Sequence, residues 1–249
     1  MLQTESPAPP SKYTNSASFG SKYGHLPTRP QAKETHEEFS LFSARSEPDK
    51  LVPVIHLGIL GSGSGSNMQA ILDAIRDNRL DAKIVLVLTD NPDAYILTRA
   101  KDAGIPTQLI DCRGYASRLP DQSQQETADA LKKAGADLVC LAGFMRLVKP
   151  PLLTAFPNRI LNIHPSLLPN YPGLEAWTQA VEDKATESGC TVHYVDAGMD
   201  TGPIIAQAKV PVLPDDTPDS LHQRIQVAEH RLYPEAILKV AESLPATQP

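Results

Sequence analysis

From Val54 onward the chain alternates short, unbroken apolar runs with helical stretches, and this alternation restricts the fold more than any other feature. Val54–Leu60 runs into glycines, and Lys83–Thr89, Thr107–Ile110 and Asp137–Ala142 follow as further strands. A strand with apolar residues on both sides is buried on both faces. Helical stretches lie between them, over about 67–78, 94–103 and 122–134. The first carries Met68, Ile71, Leu72 and Ile75 on one face, and the others stop at Gly104 and Gly135. The pattern predicts an α/β fold, a Rossmann-like, mostly parallel sheet with helices on both faces. The C-terminal half differs. Arg159–Ile163 reads as a strand, Thr191–Val195 and Ile204–Val212 as an antiparallel pair about a turn at 198–202, and Ser220–Val240 as the closing helix.

Residues 1–50 show neither period. They hold six of the 23 prolines, eight serines, and six acidic against six basic side chains. Such a segment buries too little apolar surface to order itself. The expected organisation is a disordered N-terminal extension over 1–52 and a single domain over 53–249. Acidic residues such as Glu34, Glu37 and Glu38 argue against a transit peptide, and the first residues lack the order of a signal peptide.

With 23 Lys and Arg against 29 Asp and Glu, the net charge is −6. This disfavours nucleic acid and anionic membranes as partners, because both demand excess positive charge. An anionic ligand must be held by a local device. Cys112, Cys140 and Cys190 are too scattered for a zinc site and odd in number for a disulfide framework. A reducing, cytoplasmic setting is expected. No His pair has ligand spacing, so no metal is expected. No apolar run reaches the length of a membrane span.

Three motifs carry chemistry. Gly61-Ser-Gly-Ser-Gly-Ser-Asn67 joins a buried strand to a helix. Its backbone N–H groups and the helix N-terminus suit a phosphate, although Ser66 and Asn67 can equally serve as caps. It is neither a P-loop nor the dinucleotide pattern, for Asp90 lies too far along to be the ribose acid. Asn162 and His164 sit two apart at the end of a strand, so they share a side. An amide beside an imidazole can stabilise an oxyanion and move a proton, or simply satisfy loop backbone. Asp200, in Met199-Asp-Thr-Gly-Pro203, is by default a turn residue. If that turn folds over the sheet edge it can meet His164. His56 and His193 read as packed or exposed strand residues. No Gly-x-Ser-x-Gly elbow exists, so an acyl group would pass directly.

Taken together, Ser62–Asn67, Leu141-Ala-Gly-Phe-Met-Arg146, Asn162-Ile-His-Pro-Ser-Leu-Leu-Pro169, Asp200-Thr-Gly-Pro203 and Ala228-Glu-His-Arg-Leu-Tyr-Pro234 resemble the phosphoribosylglycinamide formyltransferases, from about Val54 to Ala241. The resemblance implies the formyltransferase fold. It also implies transfer of the formyl group of 10-formyltetrahydrofolate, a co-substrate, to the amine of N1-(5-phospho-D-ribosyl)glycinamide through a tetrahedral intermediate. Asn162, His164 and Asp200 match the catalytic trio. Gly65, Ser66 and Asn67 match the substrate's phosphate loop, and Glu229 matches the acid on its amine and ribose side. Arg118, Met145, Arg146, Leu147, Val148 and Asn162 match folate-binding positions. The implied partners are small molecules, with the chain a monomer or homodimer. Many relatives carry His shortly after the Pro-Gly, where this chain has Leu174-Glu-Ala-Trp177. The alternatives are another folate-dependent formyltransferase, a formyltetrahydrofolate hydrolase, or a non-catalytic nucleotide-binding module.

Overall fold

A computed structural model describes residues 54–115 and 117–244. The expected extension over 1–52 lies outside the described residues. Seven strands form one sheet: β1 (Ile55–Leu60), β2 (Ala82–Thr89), β3 (Thr107–Leu109), β4 (Leu138–Leu141), β5 (Ile160–His164), β6 (Glu187–Tyr194) and β7 (Ile204–Pro211), in the order β3-β2-β1-β4-β5-β6-β7. The first five are mutually parallel, and β6 and β7 add antiparallel to β5. The helices are α1 (Ser66–Arg76), α2 (Ile96–Asp102), α3 (Asp121–Lys133), α4 (Leu152–Ala155), α5 (Ala176–Glu182) and α6 (Pro218–Ser243). Neither α4 nor α5 is evident in the sequence, because four and seven residues are too few to display a helical period.

Alternate residues of β1 and β4 enter different cores, as strand geometry requires. Ile55, Leu57 and Ile59 of β1 join the core containing α1 and α6, whereas Leu60 joins the one containing α3 and α4. Strands buried on both faces therefore read as continuous apolar runs. The short edge strand β3 departs from this, with all three residues exposed.

Because β1 lies between β2 and β4, the crossovers run in opposite directions from it. A crevice opens there beyond the carboxyl ends of the strands, the usual ligand position in open α/β sheets. The glycine loop leaves β1 into that crevice, and Ser62 N–H donates to Gly143 O after β4 at 3.0 Å. The closing helix is fixed at its start by a Thr217–Ser220 capping box with Pro218 in the first turn. Farther along, Tyr233 Oη donates to Leu141 O at 2.9 Å and to Leu161 O at 3.2 Å, tying α6 to β4 and β5. Among the described residues, no helix is long and apolar enough to cross a membrane.

Candidate active site

Strand β5 delivers Asn162 and His164 to the crevice, and the antiparallel ladder sets His193 of β6 directly opposite Asn162. The turn between β6 and β7 folds back so that Asp200 Oδ2 stands 3.5 Å from His164 Nδ1. Asp200 Oδ1 stands 3.6 Å from His193 Nε2. Four polar side chains, all buried or half-buried, thus meet. Sequence reasoning passed over His193 as a strand residue. Only the β5–β6 register places it here.

The hydrogen bonds fix what each group can do. His193 Nδ1 lies 2.8 Å from Tyr194 O, and a carbonyl can only accept. The proton therefore sits on Nδ1, and Nε2 faces Asn162 Nδ2 at 3.2 Å. By the same reasoning His164 Nε2 donates to Tyr171 O at 2.8 Å, so Nδ1 is the nitrogen left to exchange a proton with its surroundings. The second N–H of Asn162 is held loosely, 3.5 Å from Asp200 Oδ1. Gly173 N–H donates to Asp200 Oδ2 at 2.9 Å. Burial works against a charged Asp200, but the neighbouring imidazoles of His193 and His164 and the Gly173 N–H outweigh it. The carboxyl is held below its ordinary range.

On the other side of the crevice, Gly65 has φ of 71° and opens α1 without a side-chain cap. A Cβ there would meet Ile96 atoms at 2.7–2.9 Å, so only glycine permits the loop to pack against α2. Arg99 braces the loop by donating from Nε to Ser64 O at 2.8 Å. Neither Ser66 nor Asn67 caps the helix, so the capping alternative falls away. Instead Asn67 Nδ2 donates to Glu229 Oε2 at 2.9 Å, joining α1 to α6. Burial drives the Glu229 carboxyl up to about 7 even though the Asn67 bond opposes it. Asn67 Oδ1 is buried and has no hydrogen-bond partner among the described residues.

The segment after β4 forms the third wall. Met145 and Leu147 are exposed, at 57% and 38%, whereas Val148 at 4% belongs to the core under α3 and α4. Val148 therefore backs the wall rather than lining it with its side chain. Arg146 reaches Asp90 Oδ2 and Tyr115 O, each at 2.5 Å. This gives Asp90 a different job from the ribose contact weighed above. Arg118 lies over the Tyr115 ring, 4.8 Å from its centroid, and bridges to Leu147. Met145 N–H donates to Ser62 Oγ at 2.9 Å, so this wall and the glycine loop are one connected unit.

Such an arrangement offers an anion seat, an amide beside an imidazole–carboxylate pair, and an apolar ledge, all around one crevice. Comparison with known proteins places it. The formyl transferase family model matches residues 56–237. The phosphoribosylglycinamide formyltransferase of Escherichia coli (strain K12) is 41% identical over 180 residues, covering 72% of this chain and 84% of that protein. The crystal structure of glycinamide ribonucleotide transformylase 1 from Symbiobacterium toebii superposes with a TM-score of 0.73 at 53% identity, covering 78% of this chain and 91% of that one. The trifunctional purine biosynthetic protein adenosine-3 of Drosophila melanogaster is 50% identical over 183 residues, and this match spans 13% of that longer protein. A fold, a motif order and a level of identity this concordant have one reading: the chain belongs to the formyl transferase family, among its phosphoribosylglycinamide formyltransferases.

Proposed function

We propose that the chain transfers the formyl group of 10-formyltetrahydrofolate to the amine of N1-(5-phospho-D-ribosyl)glycinamide, a step of purine synthesis. One observation carries this reading. Asn162, His164, His193 and Asp200 converge at the end of β5, in the crevice that the glycine loop also enters.

When bound, the folate co-substrate supplies a formyl carbon open to attack by an amine. The exposed side chains of Tyr115, Met145 and Leu147 fit its flat apolar rings. Arg118 flanks this ledge. Asn162 has one N–H loosely held, and that N–H can swing to the oxygen that gains negative charge. His164 Nδ1 and Asp200 Oδ2 face each other and hold the proton that the departing nitrogen needs. His193 keeps the Asn162 amide turned the right way. The N–H groups of Gly65, Ser66 and Asn67 open α1 and seat the phosphate, with the helix dipole behind them. Glu229 stands on the amine and ribose side. The acting unit is residues 53–249.

Purified protein mixed with both substrates should give a rise in folate-product absorbance that depends on the glycinamide ribonucleotide. Release of free formate without that dependence would replace transferase with hydrolase. No turnover of either kind would leave a binding module. Ser66→Glu should raise the KM for the phosphorylated substrate by charge repulsion, and an unchanged KM would remove the phosphate from this loop.

A further inference from the structure

The two groups that hold the catalytic side chains in place, Tyr171 O on His164 and Gly173 N–H on Asp200, lie on one short segment between β5 and α5. Three of its residues, Tyr171, Gly173 and Glu175, have positive φ, at 53°, 85° and 53°. Two of the three carry side chains, so the segment does not keep this shape on local preference. Something beyond it must. Directly after it, at the start of α5, the Trp177 ring stacks on His222 of α6, centroids 3.7 Å apart and planes within 3°. Burial holds His222 below its ordinary pKa against the pull of Asp219. His222 and Glu229 are seven residues apart, two turns along one face of α6. The same helix face thus supports both sides of the crevice.

We propose that the Trp177–His222 stack is a positioning device. It docks α5 on α6 and thereby holds Tyr171 O and Gly173 N–H against His164 and Asp200. The kinetic part rests on the formyl-transfer reading above. The structural part does not.

Trp177 is the one tryptophan of the chain, so its fluorescence reads the stack directly. In His222→Ala the emission should move to longer wavelength. Trp177→Ala and His222→Ala should lower kcat by about 10- to 100-fold, the scale set by small misplacements of reacting groups. The KM for the phosphorylated substrate should stay unchanged, since Asn67 and Glu229 are untouched. Trp177→Phe should restore kcat. In full-length protein, the Cε1–H NMR signal of His164 should shift in both alanine variants and return in Trp177→Phe. Trp177→Leu keeps the apolar bulk without the ring stack, and it decides the matter if the alanine variants do not fold. Native kcat with an unmoved His164 signal in Trp177→Leu overturns the proposal. So does a loss of kcat with no shift of that signal, which would be a merely structural effect. If the wild-type chain transfers no formyl group, the reading of function fails and the NMR arm alone tests the positioning.

Discussion

Asn162 has two N–H bonds, and the structure gives them unequal work: one holds His193 Nε2 at 3.2 Å and the other reaches Asp200 only at 3.5 Å. In the proposed reaction the loose one is the donor for the developing oxyanion. Asn162→Ala should therefore fold and lose about 10²–10³ in kcat, measured in steady state. Wild-type turnover in that variant would remove the role. Asp200→Asn should cut kcat far more than KM, because it takes away the charge facing both imidazoles. Glu229 yields a pH prediction with a definite sign. Its carboxyl rises from an ordinary 4.5 to about 7 in the folded chain. Below 4.5 both states are protonated. Between 4.5 and 7 the folded state keeps a proton that the unfolded state has released, so stability falls as pH rises through this window and is level above it. The total is on the order of 3 kcal/mol at 1.36 kcal/mol per pKa unit. Urea denaturation of Glu229→Gln across pH 4–8 should lack this decline. At this scale the sequence was informative where chemistry is local: Asn162 and His164 are two apart on one strand. It was silent on His193, which reaches the site through a strand pairing.

The first turn of α1 shows how an element builds a site. Gly65 combines φ of 71° with an Ile96 contact that leaves no room for a methyl group. Gly65→Ala should cost about 1–2 kcal/mol for the left-handed backbone and about 1–3 kcal/mol for overpacking. It should also raise the KM for the phosphorylated substrate. Pairing it with Ile96→Ala should give back the packing part alone, so a double-mutant cycle separates the two causes. On α6, Tyr233→Phe should destabilise by about 1–3 kcal/mol, because a hydroxyl shared by two strand carbonyls is lost. Strict additivity in the Gly65–Ile96 cycle, or an unaltered urea midpoint for Tyr233→Phe, would refute the respective account. Long elements were legible because period and punctuation agree, as in α1 and α3. The helix α5, which seats Trp177, was not, since seven residues preceded by Glu175 at φ 53° with no side-chain cap carry no such signal.

At the scale of the molecule, the crevice belongs to the strand order rather than to any strand. Reversing direction at β1 puts the loops after β1, β4 and β5 side by side, and the β6–β7 turn closes over them with Asp200. Every contact invoked lies within residues 54–244. A chain starting at Pro53 is accordingly expected to keep the kcat and both KM values of the full chain, and a fall in either would extend the working unit toward the N-terminus.

The order of apolar runs, glycine loop and helices by itself determined a mostly parallel α/β sheet with a glycine-rich turn after its first strand, because burial on both faces and backbone freedom are written residue by residue. Which side chains meet was decided by the tertiary structure alone. Asn67 finds Glu229 across 162 positions, and His193 joins Asp200 beside Asn162. Those encounters depend on ladder register and helix docking, which are properties of pairs of elements and leave no mark in either partner's own sequence.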